Sequence, residues 1–308
     1  MLKQLIYSAA ILASIAAWPL VTNAQTHQTQ PYNEHVDFRP PLDANGYDAA
    51  WYKFPANTNS NTHFDFNLKG YVFGIPVING KYEGAMENGK YAVRSFLKTA
   101  GIGALLKKLK IWAITDGTYD RSGLYPLAHT QQNLDKKSRR VKMAYDYGPR
   151  SIDVRIYPRI GSQGIPPATP KERFEADDTL SAVLNLMMRQ SAHHKGHVDA
   201  PLCAGDVKVF DSKQHYALRM VQGKPDRKKF LGKKTDIITC KIYYIPISGF
   251  DPEDLPSKKE AGTPIDAQLV KNDELDMYIP MRLSYKISGF KAVIKITDMN
   301  VNGRSLKE

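Results

Sequence analysis

The stretch Ser191 to Cys203, SAHHKGHVDAPLC, gathers three of the chain's eight histidines and one of its two cysteines. Imidazole and thiolate are the usual zinc ligands, and His193, His194 and His197 followed by Cys203 offer both. A closed zinc site, however, needs four ligands held together, and a thiolate spent in a disulfide is lost to a metal. The chemistry of this stretch therefore depends on the compartment.

The first residues bear on the compartment. MLKQLIYSAAILASIAAWPLVTNAQ has a basic start at Lys3, an apolar run from Leu5 to Val21 and small residues up to Ala24, the pattern of a cleavable signal peptide. As a membrane anchor the run is short, is broken at Pro19 and lacks a basic flank after it. The expectation is a signal peptide over 1–24 and export to the periplasm. In an oxidising compartment two cysteines most simply pair, so a Cys203–Cys240 disulfide is expected. Closing a loop of about 38 residues is worth about 4 kcal/mol in the chain-entropy model. The three histidines then read as a solvated loop after a helix end, with no metal and no cofactor expected.

Other catalytic constellations are missing. The chain lacks H-E-x-x-H, a G-x-S-x-G elbow, and the glycine-rich loops that cradle phosphates or dinucleotides. Asp65, Asp153, Asp206, Asp211 and Asp298 fall at strand positions or edges, but nothing in the sequence pairs them. The protein is not expected to be an enzyme.

The net charge is +12, so anionic partners are favoured. After export nucleic acid is not expected among them, which leaves anionic lipid and acidic envelope polymers. The segment GKPDRKKFLGKK sets Lys224, Arg227, Lys228, Lys229, Lys233 and Lys234 around Phe230 and Leu231, a combination suited to an anionic membrane surface; the plainer alternative is a solvated turn.

These features must be carried by a scaffold. Residues 25–61 are rich in Gln, Asn, Pro and Thr without a sustained period, and read as a flexible leader. From 62 to 303 short runs of β-branched and aromatic residues alternate with turn signals, and 304–308 form a tail. Asn88-Gly89 marks a hairpin; Asp116-Gly117, Ser122-Gly123, Asp135 to Ser138 and Gly148-Pro149 mark further hinges, and Gly289 a bend between two long strands. The segments DPEDLPSKKEAG and GKPDRKKFLGKK read as loops. A short helix is expected near Ile102 to Leu109. The strong helix is ADDTLSAVLNLMMRQ, with Asp177 or Asp178 as its cap and Leu180, Val183, Leu184, Met187 and Met188 on one apolar face.

About a dozen strands and one good helix predict a mainly β protein, a highly curved antiparallel sheet or barrel-like sheet wrapped around a central helix in a single domain. A membrane-spanning barrel is the alternative, opposed by the long helix and by short, irregular strands. The methionines suit either an adaptable ligand pocket or ordinary core.

Several stretches carry a family pattern: DDTLSAVLNLM, CAGDVKVFD with Tyr216 behind it, CKIYYIPISGF, and YIPMRLSYKISGFKAVIKITDMNVNG. Together they resemble the exported bacterial domain of unknown function 3108, over most of Phe64 to Gly303. Ser212 and Lys213 depart from the glycine and arginine of that pattern. The resemblance implies a periplasmic protein of Gram-negative bacteria with a sheet curved around a helix, and no catalytic residues. The functional expectation is a non-catalytic envelope protein that holds a hydrophobic or lipidic ligand, or an envelope partner, between sheet and helix. A scaffold protein with a packed core is the first alternative; a hydrolase of envelope polymers or a metal-dependent enzyme is the second.

Overall fold

A computed structural model describes residues 62–106, 108–120, 123–133, 140–194, 202–287 and 290–307. The expected signal peptide, the leader and the Asp135 to Ser138 hinge lie outside the described residues.

The first half of the sheet is an antiparallel meander: β1 (Thr62–Val72), β2 (Ile75–Glu87), β3 (Lys90–Thr99), β4 (Lys110–Tyr119), β5 (Leu124–Asn133), β6 (Arg140–Asp146) and β7 (Ser151–Tyr157). Each pairs with the next in sequence. Asn88 and Gly89, at φ of 49° and 74°, make the tight turn between β2 and β3, where left-handed residues match the twist of the strands. Asp116-Gly117 does not form a hinge. It lies inside β4 at a register shift, where a Cβ on Gly117 would stand 2.3 Å from the Tyr125 carbonyl oxygen. That glycine serves close strand approach and not chain reversal.

The second half is β8 (Gly205–Phe210), β9 (His215–Gln222), β10 (Asp226–Phe230), β11 (Lys233–Ser248), β12 (Ile265–Asn272), β13 (Met277–Ile287), β14 (Phe290–Val301) and β15 (Arg304–Lys307). The sheet continues from β1 through β14, β13, β12, β11 and β9 to β8. GKPDRKKFLGKK is therefore not a loop: it forms β10, a tight turn and the start of β11. Short helices α1 (Ile102–Leu106), α2 (Pro170–Phe174) and α4 (Lys258–Ala261) fill connections, the last inside the expected loop DPEDLPSKKEAG. The main helix is α3 (Thr179–His194).

The curved sheet does not close by hydrogen bonds, because β7 and β8 are its two ends. The chain between β7 and α3 seals the seam. Ile160, Ala168 and Ala176 pack with Val141, Met143 and Ile156 from one end and with Phe210 from the other. Asp177 adds a bridge to the β8 edge: its N–H donates to the Lys208 carbonyl at 3.0 Å, and the Phe210 N–H donates to its carbonyl at 2.9 Å. An edge covered in this way cannot recruit a foreign strand.

Candidate functional site

Helix α3 occupies the concave side of the sheet, against β13, β8, β3, β4 and β5. The bridge at Asp177 ends the extended chain and Asp178 begins the helix. The Asp178 Oδ1 accepts from the N–H groups of Leu180 at 2.9 Å and Ser181 at 3.1 Å, satisfying two donors at the helix start. Of the two aspartates left open as caps, Asp178 holds the position.

Three residues on the apolar face of α3 are fully enclosed. Leu180, Leu184 and Met187 are each 0% accessible, so no water-sized probe reaches them from any side. They share one cluster with Phe64, Phe66, Tyr82 and Ile279, and Val183 and Met188 pack on it half-buried. The structure thus brings all five residues expected to line a ligand site to one place. That place is core.

A second arrangement, polar and equally buried, surrounds Asp178. Thr115 Oγ1 lies 2.7 Å from Asp178 Oδ1 and 2.7 Å from His129 Nδ1, which is itself 3.1 Å from Asp178 Oδ1. The Ser181 hydroxyl donates to Asp178 Oδ2 and meets the Tyr91 hydroxyl at 2.7 Å; the Tyr82 hydroxyl donates to the Leu180 carbonyl at 3.1 Å. Carboxylate, imidazole and hydroxyl are the ingredients of nucleophilic catalysis. Here Thr115, Asp178 and Ser181 are all 0% accessible, so no external substrate reaches them in this conformation. What the network does is lock the start of α3 to β3, β4 and β5.

Electrostatics separates the two neighbouring aspartates. Burial pushes the Asp178 carboxyl up, but the adjacent His129 and the hydroxyls of Ser181 and Thr115 more than offset it, and the group stays below the usual carboxylate range. Asp177 is raised to about 7 by burial, partly offset by the Asn185 amide at 2.8 Å and reinforced by the charge of Asp178. Asp116 is raised to about 6 by burial and by Asp178.

The carboxy-terminal end of α3 is fastened differently. Cys203 and Cys240 form a disulfide, and the Cys203 N–H donates to the buried Gln190 Oε1 at 2.6 Å. Cys203 precedes β8 while Cys240 lies in β11, and their Cα atoms are 5.3 Å apart, so the bridge fastens the chain entering β8 directly onto β11, two places away in the strand order. The side chains of His193 and His194, and all of His197, fall outside the described residues. Among the described residues no group of three or more His, Cys, Asp or Glu could hold a metal, and no helix is long and apolar enough to cross a membrane.

The basic hairpin departs from expectation in one respect. Lys224, Arg227, Lys229, Lys233 and Lys234 are exposed and Lys228 half-buried, but the apolar pair turns inward. Leu231 is buried in the cluster that holds Leu184, and Phe230 packs beside Ile237, Val270 and Met281. The tip spends Leu231 in the core and half-buries Phe230 against the sheet, which leaves it little apolar surface for a membrane.

Of the acidic residues noted in the sequence, Asp206 pairs with Arg219 at 3.0 Å on the surface. Asp211 is half-buried, accepts from the N–H groups of Lys213 and Gln214, and is raised to about 6 by desolvation. Lys213, buried beside it, reaches Asp251 Oδ2 at 2.6 Å. Sequence reasoning missed His129, Thr115, Tyr91 and Lys213, because their partners lie far along the chain; only the capping position of Asp178 carried a local signal.

No family model matches the chain, and no curated protein does. Among solved structures it is similar to the crystal structure of a beta-barrel-like protein of domain of unknown function DUF1849 from Brucella abortus. The identity is 13%, the TM-score 0.42, and the match covers 79% of this chain and 99% of that one.

Proposed function

We propose that the protein is an exported, non-catalytic component of the Gram-negative envelope, a relative of the domain of unknown function 3108 family that acts through contacts with other envelope components. The observation that carries this reading is the filled concave face. A carrier in which a lipid lies between sheet and helix needs room beside α3, and there is none around Leu180, Leu184 and Met187. The polar network is sealed as well, which supports a structural use of groups that could otherwise do chemistry. The leader pattern and the disulfide support export.

The test is native mass spectrometry of protein isolated from cells under mild conditions, together with extraction into organic solvent and analysis of the extract. The expected result is an apo mass beginning at Gln25 and no stoichiometric lipid. A lipid recovered at one per chain would overturn the packed-interior reading and restore the carrier; an intact Met1 or cytoplasmic fractionation would overturn export.

A further inference from the structure

The outer face of the sheet is charged unevenly. Toward the Asn88-Gly89 turn, cations have acidic neighbours: Lys81 lies 3.2 Å from Glu83, and Arg94 donates to the same Glu83 at 2.6 Å. Toward the opposite end the pattern changes. A single row crosses six adjacent strands in register, from Lys110 on β4 to Lys98, Asn79, Lys69, Lys295 and Arg282 on β13. Four residues nearer that end Lys286 stands opposite Lys291. Like charges directly opposite one another on a sheet are destabilising. Lys98 with Lys110, Lys69 with Lys295, Arg282 with Lys295 and Lys286 with Lys291 are four such pairs. No Asp or Glu occurs in 68–82, 95–115 or 279–297, the segments that build this end. The patch stops at β12, where Asp266 stands opposite Ser284.

The rim beyond the row is apolar and exposed. Phe73, at the turn between β1 and β2, is 64% accessible, Ile75 beside it 43%, and Ile102 on α1 50%. Helix α1 is packed on β2, so Ile102 stands with the other two: a Cβ on its neighbour Gly103 would come within 2.5 Å of the Val77 carbonyl oxygen. Strands rise about 3.3 Å per residue, which sets Lys291 close behind the rim and the Lys69 row roughly 10 to 13 Å behind it. Interfacial segments bury their apolar face about 5 to 10 Å into the headgroup boundary and leave cations at phosphate level.

We propose that this end of the sheet is a docking surface for an anionic phospholipid bilayer, with Phe73, Ile75 and Ile102 entering the interface and the lysine row lying over the phosphates. The inference goes beyond the packed-interior reading and does not depend on it. Charge complementarity selects the occupant: a surface that keeps four like-charge pairs, with Lys98 and Lys110 over the Phe96 ring and Lys295 over Tyr71, and sets them behind an exposed apolar rim, matches a phosphate layer over hydrocarbon. A soluble polyanion would meet the cations and leave the rim unused.

Flotation of the protein, as isolated from cells, with vesicles of phosphatidylcholine alone or with about a quarter phosphatidylglycerol tests this. Binding is expected only to the anionic vesicles, and its loss as salt rises to about 0.5 M, where screening shortens the reach of the cations. Lys69→Gln, Lys98→Gln and Lys295→Gln combined should lower the partition coefficient on the order of 100-fold. Phe73→Ser with Ile102→Ser should lower it without changing the salt dependence. Thermal melting should show that both variants fold. Lys228→Gln with Lys229→Gln, in the hairpin, should bind like the parent. Equal binding to both vesicle types, no loss in the lysine variant, or the same loss in the hairpin variant would each overturn the proposal. So would a Phe73→Ser, Ile102→Ser variant that binds unchanged, which would mark a site for soluble polyanions.

Discussion

Asp177 and Asp178 are adjacent, yet neutralising each should change stability in opposite directions. The Asp177 carboxyl is raised from 3.8 to about 7. Each tenfold in a proton equilibrium is worth about 1.4 kcal/mol, so holding it ionised with water wholly excluded would cost about 4 kcal/mol. The side chain is only half-buried, and screening by the remaining water reduces this to about 2 kcal/mol. Because the folded state holds its proton more tightly than the unfolded chain, this cost is absent below about pH 4, builds as pH rises from there and is complete above about 7. Asp177→Asn keeps an oxygen for the Asn185 amide and removes the ionisation. It should therefore stabilise by about 2 kcal/mol at pH 8, by somewhat over 1 kcal/mol at pH 5, and by little below about pH 4. Asp178 is the reverse: held below its ordinary value, it contributes stability above about pH 4 that is lost as pH falls further. Asp178→Asn replaces an oxygen that serves as acceptor with an amide donor facing buried hydroxyls, and should cost about 2 to 3 kcal/mol at neutral pH. Urea unfolding of parent and variants at pH 5 and pH 8, read by circular dichroism, measures both. If the two substitutions shift the midpoint in the same direction at pH 8, the account of the network is wrong.

Three further outcomes are expected. Ser212 is held at a φ of 91° with its hydroxyl buried and without a hydrogen-bond partner; Ser212→Gly should raise stability by about 1 kcal/mol in the same assay, since glycine adopts that backbone freely. Replacing Cys203 and Cys240 with alanine opens a link with a sequence separation of 37 and should cost about 4 kcal/mol, seen as a lowered melting temperature that added reductant reproduces in the parent but not in the variant. Leu184→Ala empties a fully enclosed position and should cost about 3 to 5 kcal/mol by urea unfolding; a cost under about 1 kcal/mol would show that the space beside α3 is loosely packed.

The fold is legible where its information is local. Alternation in Phe64, Phe66 and Leu68, the Asn88-Gly89 turn and the helical period from Leu180 to Met188 announce β1, the β2–β3 hairpin and α3, because each depends on residues a few positions apart. Asp116-Gly117 misleads for a definite reason. Glycine marks both a turn and a place where two chains come too close for a Cβ, and only the neighbour across the sheet, Tyr125, distinguishes them. The basic hairpin misleads in the same way. Phe230 and Leu231 look exposed beside five lysines and an arginine, but a two-residue turn at the mouth of a curved sheet can swing its apolar tip into the core while the charges face water.

The site shows the same limit at longer range. Composition gives a net charge of +12, and cations cluster along the chain at 107–110, 136–142 and 224–234, of which only Lys110 belongs to the row on the outer face. The row on the outer face is assembled from lysines and an arginine lying as far apart as 69 and 295, each unremarkable in its own strand. Only pairing register brings them together, and register is set by the inward-facing residues: Phe64 and Phe66 on β1 and Ile296 and Met299 on β14 have to share one interior. A slip of one residue would turn Lys69 and Lys295 inward, at a prohibitive cost in desolvation, so the packing that fills the concave side also fixes the charge pattern on the convex side. Core and surface are therefore coupled. A substitution that loosened α3 enough to let β1 and β14 change register would scatter the cationic row along with the core, and weakened vesicle binding would accompany lost stability.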